Sequence, residues 1–303
     1  MPIYSLVLTS PPAAPALSDF AVERAWSLIS APQRRTDQWL APREAWLAEF
    51  ATNEDGATAA LKAAVRRALN GLTIDVNVVA GDAAARRKKL LVADMDSTII
   101  QQECIDEMAD MLGLRTRIAA ITERAMRGEL DFAAALRERL GLLAGLTEAD
   151  LAKVYSERIT AMPGARALVA TMRRHGAFTA LVSGGFNFFT SRVRAATGFD
   201  VDHSNTLETA SGRLTGRIIG PILGREAKLA CLERYAAERG LTSAETLAVG
   251  DGANDLDMIR AAGLGVAYRA KPVVAAEAAA GIVHGDLTAL LYLQGYRRDE
   301  FAE

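Results

Sequence analysis

With 2 cysteines in 303 residues, Cys104 and Cys231, the chain cannot be framed by disulfides, and such sparse thiol use suits a reducing compartment. Both sit in apolar helical contexts and read as buried, inert thiols. No run approaches about 18 apolar residues, which excludes a membrane-spanning helix. There is no basic excess: 35 Lys and Arg stand against 37 Asp and Glu, a net charge of −2, so the electrostatic footprint of a nucleic-acid binder is missing. The 3 histidines, His175, His203 and His284, are far apart, without metal-ligand spacing, and take no role. The apolar start Ile3–Leu8 has no Lys or Arg before it and runs into Pro11-Pro12, unlike a secretory leader. The expectation is a cytoplasmic protein with no nucleic-acid or membrane partner.

What is present is an ordinary globular balance, 50% hydrophobic and 24% charged, enough for a sizeable core. At roughly 100–200 residues per domain the length predicts about two domains. Ile3–Leu8 reads as a strand, Ala21–Ile29 and Ala57–Leu69 as helices, and Trp39–Phe50 as helical by its content. In Thr73–Val79, Ile74, Val76 and Val78 alternate with Asp75 and Asn77, the two-residue period of a half-buried strand. The basic run Arg86-Arg87-Lys88-Lys89 reads as a solvated linker.

From Leu90 the pattern changes. Short apolar runs at Leu90–Ala93, Thr179–Val182, Thr246–Val249 and Leu264–Ala267 alternate with long helical stretches. Runs buried on both faces between helices predict an α/β fold, a Rossmann-like doubly wound parallel sheet. Helical patterns at Glu103–Leu112, Arg115–Met126, Phe132–Leu143 and Glu148–Arg158 form an insertion after the first strand, far longer than a βα connection needs, and predict a helical cap. Ser204–Ala210 and Arg213–Ile219, joined by Ser211-Gly212, read as a small β-hairpin insertion.

Three of the four apolar runs end in polar residues. These are Asp94-Met95-Asp96-Ser97-Thr98, then Ser183-Gly184-Gly185, then Gly250-Asp251-Gly252-Ala253-Asn254-Asp255. In an open α/β sheet the ligand site lies beyond the carboxyl ends of the strands, so these loops should converge. Four carboxylates together repel one another unless a cation is present. Oxygen ligands without His or Cys point to Mg²⁺.

Asp94-x-Asp96-x-Thr98, Ser183-Gly184-Gly185, the downstream Lys228 and Gly250-Asp251-Gly252-x-Asn254-Asp255 resemble the motifs of the haloacid dehalogenase superfamily of phosphatases, in order. The fuller string Asp94–Thr98, with Glu103 nine residues after the first Asp, is similar to the phosphoserine phosphatase branch. The resemblance spans about Lys89 to Leu291. It implies that Asp94 is a nucleophile forming an aspartyl-phosphate, and Asp96 the general acid and then base. It implies Mg²⁺ on Asp94, the Asp96 carbonyl and Asp251. Ser183, the Gly184 N–H, Lys228 and Asn254 would hold the phosphate, with Asp255 and Thr98 behind them. By itself Lys228 is a lysine at an ordinary helix start; the motif order gives it a role.

On the helix from Phe132, the positions Phe132, Leu136, Leu140 and Leu143 form an apolar stripe, and Arg139 falls inside it. Arg137 points about 140° from Phe132 and reads as solvated. A guanidinium within an apolar face wants an anionic partner, from the chain itself or from a substrate. Glu103 lies near a helix start, where an acid is also favoured by the dipole. The resemblance assigns Arg139 to a substrate carboxylate, Glu103 to its ammonium group, and Met126 and Phe132 to closing over it. The substrate implied is then O-phosphoserine, hydrolysed to serine and phosphate in the last step of serine biosynthesis.

A phosphatase or phosphotransferase for another small amino-acid or alcohol phosphate is the nearest alternative. An amino-acid-responsive regulator is another, since the first 80 or so residues resemble an ACT-type module, a fold that binds amino acids or pairs subunits; that leaves a homodimer open. A dead regulator would be expected to lose Asp94 or Asp96, and both are present. The expected division is residues 1–82 as an ACT-like domain, 83–100 with 162–303 as the catalytic core, and 101–161 as the cap.

Overall fold

The computed structural model describes residues 1–127 and 129–302, the side chains of Ala31 and Met126 excepted. The chain begins with β1 (Ile3–Thr9), α1 (Asp19–Ser27), β2 (Arg34–Ala41), β3 (Ala45–Ala51), α2 (Ala57–Ala68) and β4 (Asp75–Ala80). The strands form a four-stranded antiparallel sheet in the order β2-β3-β1-β4. This β-α-β-β-α-β connectivity is the ferredoxin-like one. Leu6, Leu8, Trp46 and Phe50 pack against Ala21, Ala25 and Val65 of the two helices. The opposite face, with Val7, Leu47 and Val79, joins the main core of the molecule.

Trp39–Phe50 is not helical. It is the β2–β3 hairpin, turning at Pro42-Arg43, where Arg43 adopts φ 61°. β3 lies between two partners and is buried along nearly its whole length, so no alternation marks it, and strand pairing overrides the helical preference of its Ala, Leu and Glu residues.

The basic run is not a solvated linker either. α3 (Ala83–Arg86) ends on a buried Arg86 whose guanidinium bonds Ser5 Oγ and, at 3.0 Å, Glu49. Lys88 is also buried, its ammonium on the carbonyls of Ala85 at 2.8 Å and Ala244 at 2.7 Å. Arg86 thus anchors this segment to the N-terminal sheet, and Lys88 anchors it to the loop before β9 (Thr246–Gly250). Arg87 and Lys89 alone keep solvent-facing ion pairs, with Glu300 and Glu245.

Next come β5 (Leu90–Ala93), the inserted helices α4 (Cys104–Met111), α5 (Arg115–Met126), α6 (Phe132–Gly141) and α7 (Glu148–Arg158), and then α8 (Ala165–Arg174). The chain continues through β6 (Phe178–Phe186), α9 (Asn187–Thr197), β7 (Val201–Ala210), β8 (Arg213–Ile219), α10 (Arg225–Glu238) and β9. It closes with α11 (Leu256–Ala261), β10 (Leu264–Tyr268), α12 (Pro272–Glu277), β11 (Ala280–Ile282) and α13 (Ala289–Leu293). The second sheet has seven strands, β11-β10-β9-β5-β6-β7-β8, every pair parallel except β7 with β8. Leu91 and Ala93 face one layer and Leu90 and Val92 the other, which explains the unbroken apolar runs. Among the described residues no helix is long and apolar enough to cross a membrane.

The four inserted helices leave and rejoin the core at one neck, where Ile100 bridges Ala161. The hairpin is a continuation of the sheet: β7 pairs with β6 and then turns into β8 through Ser211-Gly212, both at positive φ (50° and 72°) as a two-residue hairpin turn requires. Thr147 bridges Arg213, so the cap leans on this hairpin.

β4 departs from its expected half-solvated pattern, because Asp75 and Asn77 are buried at the seam with β11. The Asn77 side chain donates to the Gly281 carbonyl at 3.0 Å and accepts its N–H at 2.8 Å, imitating a backbone ladder. Asp75 accepts the N–H groups of Val283, His284 and Gly285. Asp75→Ala would strip the acceptor from three N–H groups, of which that of Gly285 is buried while those of Val283 and His284 keep access to water, so a loss of roughly 1–3 kcal/mol is expected in urea denaturation. A loss below about 1 kcal/mol would mean that water replaces the carboxylate.

Candidate active site

β5, β6 and β9 are neighbours at the middle of the sheet, and the chain runs from β5 to β6 on one side and to β9 on the other. This is the topological switch point, where crevices form beyond the strand ends. The three loops meet there around a small cavity of ≈ 160 Å³. That is below the roughly 300–1,000 Å³ of drug-sized sites, so the ligand must be small. Asp94, Asp96, Glu103, Phe132, Arg139, Ser183, Gly184, Asp251 and Asn254 all line it.

Asp94 follows directly on β5 and is buried. Its Oδ1 accepts the Met95 N–H at 2.8 Å and the Lys228 ammonium at 2.7 Å, leaving Oδ2 without a donor among the described residues. Lys228, in the first turn of α10, is fully buried between Asp94 and Asp255, whose Oδ1 is 2.6 Å away. It therefore stands behind Asp94 and not in the cavity wall. Burial alone would lower the Lys228 ammonium, but Asp94 and Asp255 outweigh it and hold the lysine protonated. Burial, then Asp255, raise Asp94 well above the usual carboxylate range, with Lys228 acting against them.

Asp94, Asp251 and Asp255 can each bring an oxygen within 4.8 Å of the others. Asp255 is already committed, one oxygen to Lys228 and the other to the Gly252 N–H at 2.9 Å. Asp251 meets Thr98 Oγ1 at a long 3.4 Å. Burial and Asp255 raise Asp251 too. Lys228 pairs with two of these three crowded carboxylates and Lys271 acts on the third, Asp251, from farther off; all donors are hard oxygens. That set fits Mg²⁺.

Asp96 has both oxygens held: Oδ1 accepts the Cys104 N–H at 2.9 Å and Oδ2 the Ser183 hydroxyl at 3.1 Å. Burial raises its carboxyl and those donors oppose the shift. Ser183 Oγ also accepts the Gly185 N–H at 2.8 Å, and Asn205 fixes the loop by donating to the Gly184 carbonyl at 2.8 Å.

The cap supplies the remaining wall. Glu103 is the N-cap residue of α4 but makes no capping bond; its Oε1 accepts the Ser97 hydroxyl at 2.7 Å. Glu103 keeps an exposed side, yet desolvation at the cavity wall, and then the charge of Asp96, push it up to about 7. Arg139 is half-buried and donates to the Ala135 carbonyl and Thr122 Oγ1, with no carboxylate within 4.0 Å among the described residues. Burial lowers its guanidinium, Asp106 and Glu103 opposing. Arg137 is exposed. The end of the Phe132 ring lies over Gly184: a Cβ there would stand 3.2 Å from Cζ. The side chain of Met126 lies outside the described residues.

Sequence reasoning missed several contributors. Cys104 is buried, but its backbone N–H serves Asp96, and the residue lines the cavity; Cys231 is only half-buried. Lys271 also lines the cavity and donates its N–H to the Asp251 carbonyl at 3.1 Å. Its signal is the place it holds just after β10, since the fourth apolar run opens onto the same crevice as the other three.

The chain belongs to the haloacid dehalogenase-like hydrolase family, whose family model matches residues 91–260. Within it, the chain is 45% identical over 244 residues to phosphoserine phosphatase of Streptomyces coelicolor, covering 80% of this chain and 59% of that one. The chain thus spans little more than half the length of that relative. It is likewise 45% identical over 223 residues to phosphoserine phosphatase of Polaromonas sp., covering 72% of this chain and 94% of the relative. Among solved structures, a HAD-family hydrolase of Salmonella enterica serovar Typhi superposes with TM-score 0.81 at 31% identity, covering 97% of this chain and 98% of that one.

Proposed function

We propose that this protein is a phosphoserine phosphatase, cleaving O-phosphoserine to serine and phosphate in the last step of serine biosynthesis. The observation that carries the reading is one small cavity lined by Asp94, by an acid (Glu103) and by a base (Arg139) that has no carboxylate partner among the described residues. A zwitterionic amino acid offers an ammonium for the first cap residue and a carboxylate for the second, while its phosphate faces the loop beyond β5. The relatives at 45% identity carry the same activity in their names.

In this mechanism Asp94 Oδ2 attacks phosphorus, the seryl oxygen leaves, and an aspartyl-phosphate forms. Asp96 gives the leaving oxygen its proton, a task suited to a carboxyl that burial has raised. It then takes a proton from the water that attacks phosphorus, releasing phosphate and restoring Asp94. Ser183 and the Gly184 N–H hold phosphoryl oxygens, Asn254 orients them, and Lys228 steadies Asp94 from behind. Asp94, the Asp96 carbonyl and Asp251 would hold Mg²⁺, which supplies positive charge against the phosphoryl oxygens. The inserted helices, 101–161, would act as a lid that excludes water during transfer and opens for product. Residues 1–82 would be an ACT-like unit, and a homodimer is the assembly to look for.

Phosphate release from a panel of phosphorylated amino acids and sugars tests the reading; a sugar phosphate preferred over phosphoserine would end it. Metal dependence has its own test. Chelation should abolish activity and added Mg²⁺ restore it. Asp251→Asn should raise the half-saturating Mg²⁺ by about tenfold or more, since even outer-shell partners are worth about 10–100-fold. Full activity after exhaustive chelation would show that the carboxylates serve another purpose.

A further inference from the structure

Ser97 sits between Asp96 and Thr98 and adopts φ 55°, a left-handed conformation uncommon outside glycine. The turn closes through the Ser97 N–H on the Gln102 carbonyl at 3.3 Å. Its effect is to aim Oγ at Glu103, 2.7 Å away. Glu103 shares its surroundings with three like charges, Asp96, Asp251 and Asp106. The Ser97 hydroxyl is the one side-chain donor that meets its carboxylate among the described residues. The helix start that Glu103 would ordinarily cap is served instead by Asp96, through the Cys104 N–H. Glu103 is therefore excused from capping and is held by the loop that carries the nucleophile and the acid.

We propose that Ser97 is a positioning residue for substrate selectivity: its hydroxyl fixes the Glu103 carboxylate where an ammonium group of the substrate must arrive. The inference rests on the phosphoserine reading and deepens it. Without the hydroxyl, Glu103 keeps no side-chain donor among the described residues and is free to turn away. Recognition of the amine is then lost, while a phosphate ester without an amine loses nothing at that end. The left-handed turn is thus retained for where it points a side chain.

The test is the ratio of kcat/KM for O-phosphoserine to that for phenyl phosphate, in Ser97→Ala and Ser97→Gly. A hydrogen bond to a charged group predicts a fall in the ratio of roughly 10- to 100-fold in both variants, carried by KM. Glycine removes the backbone strain together with the hydroxyl, whereas alanine removes the hydroxyl alone. A ratio restored by glycine would mean that the turn and not the hydroxyl matters, and would overturn the proposal. In a Glu103→Gln background, Ser97→Ala should change the ratio no further, because both act through one contact; an additive loss would also overturn it. Wild-type protein inert toward phosphoserine but active on phenyl phosphate would remove the functional reading itself, an outcome separate from either variant.

Discussion

Asp94→Asn is expected to abolish turnover, by about 10⁴-fold or more, because the reaction would lose the atom that bonds to phosphorus. The substitution preserves the shape of the side chain, so the lesion is chemical. Of the two Asp94 oxygens, Oδ1 is held by Lys228 and the Met95 N–H, and Oδ2, without a donor among the described residues, is the one that would attack in the proposed reaction. Lys228 does not need to be displaced for this to happen. It remains against Oδ1 and stabilises the carboxylate in an environment whose burial disfavours the charge. Treatment with beryllium fluoride, which mimics an acyl phosphate, should place its adduct on Asp94. An adduct on Ser97, whose hydroxyl already bonds Glu103, would show that the wrong nucleophile has been named.

Arg139→Ala should be the most selective lesion in the cap. Arg139 faces the cavity with a half-buried guanidinium and no carboxylate of its own among the described residues, so a ligand carboxylate is its natural partner. Losing one member of a desolvated charge pair costs roughly 2–5 kcal/mol. At about 1.4 kcal/mol per decade, that is about 30-fold to several thousand-fold in kcat/KM for phosphoserine. The slow hydrolysis of an aryl phosphate, which has no carboxylate to lose, should fall far less. Arg137, exposed on the same helix, is the internal control and should matter little. Equal losses on both substrates would make Arg139 a cap-holding residue. A larger selectivity change from Arg137→Ala would put the reading of the cap wall in error.

The catalytic sheet was legible because its strands are buried on both faces, and Leu90–Ala93 and Thr246–Val249 show this as unbroken apolar runs. The polar loops were legible because strand ends in such a sheet share one crevice. The stripe around Arg139 could be followed because one helix carries it from end to end. What stayed hidden was whatever depends on a partner distant in sequence. β3 looked helical because its strand character comes from β1 and β2 on either side. Asp75 and Asn77 looked solvated because their partners, Gly281 to Gly285, lie about 200 residues away. Arg86 and Lys88 misled for the same reason, since runs of like charge are solvated unless Glu49 or the Ala244 carbonyl happens to meet them. Lys228 was found by motif order, while its burial and its position behind Asp94 were not written in its neighbours.

The seam between β4 and β11 also bears on self-association. β11 is a three-residue strand at the end of a parallel sheet, with backbone groups that could template pairing with another chain. Asn77 occupies that template with a side chain, so the second sheet is closed on this side without being lengthened by a true strand pair. The free margins that remain are β2, whose Arg35, Asp37 and Gln38 are exposed, and β8, with exposed Arg213 and Arg217. Charged margins discourage edge-to-edge stacking. Deleting the first 82 residues would therefore do more than shorten the protein: it would uncover the one sheet edge that no charge guards.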